Sequence, residues 1–139
     1  MITLDTSGIL AALNRGDPDH SRAEKALLRE RGPLVVPMGI LAEAGYMIEA
    51  DLGTNVLRQF VEDADAGHYR VDCGERDLRR IADLLETYED PRLGFADACV
   101  VACAERNGGR VLTFDDRDFG PIARTGSITL VPEDRRSGS

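Results

Sequence analysis

The sequence predicts an α/β fold built on a short, mostly parallel five-stranded sheet flanked by helices on both faces. Three observations lead there. Strand-like segments alternate with helical patterns, and such crossovers join parallel strands. The strand segments are apolar on both faces, as in a sheet covered on both sides. Glycine, proline and asparagine punctuate the segments where one element must end.

Taken in order, Ile2-Thr3-Leu4 is a short apolar strand leading into Asp5-Thr6-Ser7. Thr6 or Ser7 can cap a helix through about Asn14, broken by Gly16-Asp17-Pro18. A second helix runs from about Asp19 to Arg31 and ends at Gly32-Pro33, before a second strand, Leu34-Val35-Val36. Helices follow over about Gly39 to Asp51 and Asn55 to Asp65, then a third strand, Tyr69-Arg70-Val71. From Glu75 to Tyr88 the pattern is amphipathic, with Leu78, Ile81, Leu84 and Leu85 on one face. A helix from Phe95 to Arg106 stops at Asn107-Gly108-Gly109. Arg110 to Phe114 is the fourth strand and Ser127 to Val131 the fifth.

The 139 residues suit one domain, read as residues 1–132, with a polar tail from Glu133 to Ser139. No apolar run approaches the length of a membrane span and no secretory signal opens the chain, so the expected location is the cytoplasm. Of the three cysteines, Cys99 and Cys103 share a helix face. They read as small buried hydrophobes or, with further ligands that neither His20 nor His68 is placed to supply, as part of a zinc site. The net charge of -8 is unusual for a nucleic-acid binder. Four acids gathered on a cation would account for half of that excess.

In sheets of this kind ligands bind beyond the carboxyl ends of the strands, where the strand order reverses. Asp5 ends the first strand and Asp115 follows the fourth. Each can serve the crevice or cap the next helix. Glu43 lies within about 60° of Ile40 and about 40° of Met47 on its helix, so it borders or enters the apolar stripe, or turns outward from its edge. Asp97 is the one charged residue between Leu93 and Ala104. It answers to the helix dipole, or faces an interior cavity from a largely buried helix.

Together the four acids have a reading that none has singly. Carboxylates brought this close repel unless a cation sits among them. An all-oxygen set selects a hard ion, Mg²⁺ or Mn²⁺. Such an ion activates water for attack on a phosphodiester. Asp116 is a further candidate ligand, and Arg117 a candidate phosphate contact. Arg76, Arg79 and Arg80 read mainly as a solvated face, with Arg79 placed to pair with Asp83. A covalent aspartyl-phosphate mechanism fits poorly, because Lys25 is the only lysine and sits on a surface helix. The rival reading is a non-catalytic module of the same fold that binds RNA or protein.

Four segments carry a resemblance over essentially the whole chain. Ile2-Thr3-Leu4-Asp5-Thr6-Ser7, Glu43, Phe95-Ala96-Asp97-Ala98 and Leu112-Thr113-Phe114-Asp115-Asp116-Arg117-Asp118-Phe119 resemble the PIN-domain nucleases, and most nearly the VapC toxins of bacterial toxin–antitoxin modules. The resemblance implies a PIN-like fold, Mg²⁺ or Mn²⁺ dependence and endonucleolytic cleavage of RNA, either transfer or ribosomal. It aligns Asp5, Glu43, Asp97 and Asp115 with the family's acidic quartet. Asp5, Asp97 and Asp115 would hold metal, with Glu43 and Asp116 as possible additions. Thr113 matches the hydroxyl beside the fourth acid, and Thr6 or Ser7 would support Asp5. The family further implies a homodimer and a VapB-like antitoxin that holds the enzyme inactive.

Overall fold

Every strand of the sheet is parallel, and its order turns the segment at the amino terminus into the centre of the molecule. The computed structural model describes residues 1–89 and 92–133. Strand β1 (Ile2–Leu4) is followed by helices α1 (Thr6–Leu13) and α2 (His20–Arg29). Strand β2 (Leu34–Pro37) leads to α3 (Met38–Leu52) and α4 (Thr54–Asp65), and β3 (Arg70–Asp72) to α5 (Leu78–Thr87). Helix α6 (Phe95–Arg106), β4 (Arg110–Leu112), α7 (Asp116–Ala123) and β5 (Thr129–Val131) complete the chain. The spatial order is β3-β2-β1-β4-β5. The chain therefore builds outward from β1 in one direction, then returns to lay β4 on its other side. The strand order reverses between β1 and β4, with Thr3 opposite Val111 and Leu4 opposite Leu112.

The core is apolar where strands and α6 meet. Val35, Val36, Val111 and Leu112 have no exposed surface. All seven residues from Ala98 to Ala104 are buried, so α6 is an interior helix, as its uniformly apolar sequence requires. Cys99 and Cys103 are buried in it as free thiols, while Cys73 is exposed.

Several boundaries differ from the sequence reading, each for a local reason. Asp5, not Thr6 or Ser7, caps α1, its carboxylate accepting from Gly8 N. The Glu75–Tyr88 segment opens with a 3₁₀ turn, Glu75–Asp77, and leaves Leu78 exposed while Ile81 and Leu84 are buried. β4 stops at Leu112, because the chain beyond it bends into the cap of α7. Gly120 and Pro121 hide α7 from a sequence reading; in the fold Asp115 caps it by accepting from Asp118 N, and Pro121 stands inside it. Of the expected polar tail, residues 134–139 lie outside the described residues.

Two glycines set how closely the elements can approach. A Cβ on Gly8 would run into the carbonyl oxygen of Leu112, so α1 reaches β4 only because residue 8 has no side chain. On Gly39 it would meet Cys99 Sγ at 2.5 Å, which fixes α3 against α6. Gly8→Ala should therefore destabilise the protein by about 1–3 kcal/mol in denaturant unfolding. Gly45→Ala, where the nearest atom outside α3 is 3.6 Å away, should be neutral or stabilising by up to about 1 kcal/mol. Equal effects of the two substitutions would contradict this packing.

Candidate active site

The reversal of strand order places the ends of β1 and β4 side by side, and Asp5 and Thr113 leave those ends. Asp5 is 4 % exposed. Its Oδ1 accepts hydrogen bonds from Gly8 N at 2.8 Å and from Ser7 Oγ at 2.8 Å. Its Oδ2 accepts from Thr113 Oγ1 at 2.7 Å. The two hydroxyls then accept from the loop after β4, Ser7 across the junction and Thr113 within its own loop. Ser7 Oγ accepts from Phe114 N at 2.9 Å, and Thr113 Oγ1 from Asp115 N at 3.0 Å. With each hydroxyl proton given to Asp5, the 3.2 Å approach between Ser7 Oγ and Thr113 Oγ1 is a contact that closes the ring. The carboxylate thus couples the end of β1 to the end of β4.

Around this anchor lies a cavity of about 190 Å³ lined by Asp5, Thr6, Ser7, Glu43, Asp97 and Asp115, with Leu10, Ile40, Met47, Ala96 and Val100 as its apolar walls. All four acids singled out in the sequence line this one cavity, from β1, α3, α6 and the cap of α7. They do not sit at one depth. Asp5 is buried, Asp97 and Asp115 are half-buried, and Glu43 is exposed at the rim. Helical periodicity gave the angle of Glu43 correctly but not its depth, since the crevice is open where α3 borders it.

Thr6 stands on the wall with its hydroxyl buried and without a hydrogen-bond partner among the described residues. Asp116, considered as an additional ligand, lies elsewhere. With Arg117 and Arg124 it lines an open groove against β5. The residue that the sequence reading passed over is Asp118. Its backbone caps onto Asp115, and its carboxyl reaches the side chains of Asp97 and Asp115. The signal for it was the i, i+3 spacing from Asp115, which needs α7 to be seen as a helix.

Crowded acids in a desolvated pocket hold protons. Burial pushes Asp5 up to about 6, against the lowering effect of its three hydrogen bonds, with Asp115 adding a smaller upward push. Asp97 rises to about 8, through burial first and then the carboxyls of Asp118, Asp115 and Asp5. Asp115 rises too, chiefly through burial and the nearness of Asp118 and Asp116. Among the described residues no three side chains close on one point in ligand geometry. The donor chemistry nonetheless fits a hard cation: oxygen alone, three carboxyl groups held above their ordinary range by one another and by burial, and an unpartnered hydroxyl on the wall.

The PIN-domain family profile matches residues 2–125. The chain belongs to the PIN-domain family. Ribonuclease VapC26 of Mycobacterium tuberculosis is 29 % identical over 133 residues, covering 93 % of this chain and 98 % of that protein. Among solved structures, the sarcin–ricin loop cleaving toxin VapC20 of M. tuberculosis superposes with a TM-score of 0.77 at 22 % identity, covering 88 % of this chain and 95 % of that one. VapBC2 from Rickettsia felis, bound to a fragment of promoter DNA, gives 0.67 at 17 % identity, covering 94 % and 97 %. The fold expected from the sequence is thus the PIN fold, with an all-parallel sheet.

For this PIN domain the raised acids make stability depend on pH. Asp5 and Asp97 bind protons more tightly folded than unfolded. Their contribution is complete below the ordinary aspartate range and is lost as pH rises through about 6 and about 8. Asp72, held below its ordinary range by Arg106, acts in the opposite sense only at lower pH. In EDTA, Asp97→Asn should therefore melt a few degrees above the parent at pH 8, with the gap narrowing toward pH 5. A gap that widens on acidification would contradict the electrostatics described.

Proposed function

We propose that this PIN domain is a metal-dependent endoribonuclease that hydrolyses RNA phosphodiester bonds, and that it is the toxin of a type II toxin–antitoxin pair inhibiting translation. One observation carries the reading: carboxyl groups from four separate elements line a single small cavity at the reversal of strand order. The reading treats residues 1–132 as one nuclease domain in the cytoplasm. No described helix is long and apolar enough to cross a membrane.

Asp5, Asp97 and Asp115 are the residues we assign to Mg²⁺ or Mn²⁺, with Glu43 facing it from the rim. When bound, the ion supplies a nucleophilic water at neutral pH and charge stabilisation at the phosphoryl group. The chain's own contribution is placement. Ser7, Thr113 and the α1 amino terminus fix both oxygens of Asp5, so the remaining lone pair, on Oδ2, has a set direction. Asp118 faces Asp97 and Asp115 and adds a further carboxyl group beside the pair. Apolar walls from Ile40, Met47 and Val100 limit water. Arg117 is exposed and makes no ion pair among the described residues, which suits a contact to a flanking phosphate.

The relatives support an RNA substrate: VapC26 is a ribonuclease, and the VapC20 toxin cleaves the sarcin–ricin loop. A structured RNA, transfer or ribosomal, is the corresponding substrate here. The VapBC2 complex supports a VapB-like antitoxin as partner. A negative cavity would attract a basic side chain from it. For the homodimer, Met38, Leu78 and Phe95 offer an exposed apolar surface around the carboxyl ends of β2 and β3. Leu78→Glu should shift the protein toward monomer in sedimentation without unfolding it.

The catalytic assignment is tested with labelled RNA in a titration of Mg²⁺ or Mn²⁺, with EDTA as control. Asp5→Asn and Asp97→Asn should each lower cleavage by on the order of 100-fold or more and relieve growth arrest on expression, while circular dichroism stays native. Undiminished cleavage by both variants would overturn the site.

A further inference from the structure

Outside the acid cavity, basic side chains gather along helix α2. Helix α2 carries Arg22, Lys25 and Arg29 at spacings of three and four, which puts them in one stripe. They line a groove of about 570 Å³ between α2 and the end of β5, together with Arg110 and with Val131, Pro132 and Glu133. Lys25, the only lysine in the chain, stands here.

The charges in the groove are not all equally engaged. Arg22 pairs with Asp19 at 3.2 Å, and Arg110 with Glu30. Glu133 contributes a carboxylate to the far wall. Lys25 and Arg29 are exposed and make no ion pair among the described residues. On a chain of net charge -8, two uncompensated cations beside two more on a concave surface are a local reversal of sign. Packing does not require it, since the buried member of α2 is Ala23.

The groove is also connected to the acid cavity. The Arg22 guanidinium lies over the ring of Phe114, 5.4 Å from its centre. Phe114 is the neighbour of Asp115, and its N–H is held by Ser7 Oγ, the same hydroxyl that binds Asp5. One end of the stripe is thus fixed to the wall of the cavity. The rest leads away along α2 for about 10 Å, at about 1.5 Å per residue, enough to pass more than one phosphodiester of an extended strand.

We infer that the α2 groove, through Lys25 and Arg29 with Arg22 and Arg110, holds the phosphate backbone of the RNA strand on one side of the bond cut in the acid cavity. The occupant fits by chemistry. An extended polyanion matches a row of cations on a helix face, and contacts to phosphate position a strand without reading its bases. Arginine and lysine at the end nearer the acids would balance the repulsion an anionic substrate meets there. This inference rests on the nuclease reading above and deepens it.

The test uses Lys25→Ala/Arg29→Ala, two exposed positions on one helix, with Arg58→Ala on exposed α4 as the control for loss of a cation. Binding of a fluorescent single-stranded RNA is followed against salt in an Asp97→Asn background, and cleavage of the same RNA in the otherwise unaltered protein. The double variant should raise KM on the order of tenfold with little change in kcat, and flatten the dependence of log Kd on log salt by about 1.4, at about 0.7 per phosphate contact on a single strand. Arg58→Ala should change neither. Wild-type cleavage with an unchanged KM and salt slope in the double variant would overturn the groove and leave the acid site standing. A double variant that cuts RNA normally but no longer binds the antitoxin would assign the groove to protein and also overturn the inference. Absence of metal-dependent cleavage by the wild type would instead remove the nuclease reading itself.

Discussion

The buried carboxylate of Asp5 is the tie on which the site depends. It takes hydrogen bonds from the turn that starts α1 and from the threonine that ends β4, and so makes two strand ends into one wall. Three hydrogen bonds to a carboxylate ordinarily favour its charged form strongly. Here burial and the neighbouring acid outweigh them, and the group sits above its usual range. The structure therefore positions an anion without supplying the countercharge that would stabilise it. Asp97 and Asp115 sharpen the imbalance. A protein retains such an arrangement at a cost in stability, and a divalent cation is the simplest agent that removes the cost.

The fold enforces this convergence through its order of construction. β1 is laid down first and ends in the centre, so the loops after β1 and β4 must emerge together. The remaining two carboxylates come from helices pressed against that junction. α3 and α6 can approach closely because Gly39 leaves room for Cys99. Similarly, α1 meets β4 over Gly8. Both glycines act through sterics, as neither has a positive φ. The same geometry separates charges of opposite sign. Acids collect at the reversal of strand order, whereas Lys25 and Arg29 stand along α2, with Phe114 and Arg22 between the two regions.

Much of this was legible in the sequence. Alternating apolar segments and breakers gave five strands in order, most plainly β1, β2 and β4, where burial on both faces leaves an apolar run that loops do not imitate. The quartet emerged because the ends of strands border the ligand crevice and apolar helix faces are poor places for an unpaired acid. What stayed hidden depended on three-dimensional context. Gly120 and Pro121 read as breakers, yet a helix tolerates them when a capped first turn and buried Phe119 and Ile122 hold it in place. Without α7, the sequence singled out Asp115 by its place after the fourth strand but gave no direction to Asp116 and Asp118. With it, Asp118 turns toward Asp97, while Asp116 falls on the other side with Arg117. The exposure of Glu43 was likewise inaccessible, since periodicity fixes a direction from the helix axis and not how much protein lies in that direction.

Capping and metal binding entered the sequence reading as alternatives for Asp5 and Asp115; in the structure both acids cap a helix and both line the cavity, so the two uses are compatible. A carboxylate has about four lone-pair positions. At Asp115 the hydrogen bond from Asp118 N engages Oδ1, so the cap fixes the carboxylate's orientation through one oxygen. At Asp5 the cap and two hydroxyls engage both oxygens, leaving the group more rigid and less available. Asparagine caps helices about as well as aspartate. Replacing either acid by its amide therefore removes charge while keeping the helix start, and separates the two uses in a way that alanine cannot. The asymmetry between the two caps also gives an order. The order is one of rigidity: Asp5 is held through both oxygens, Asp115 through one.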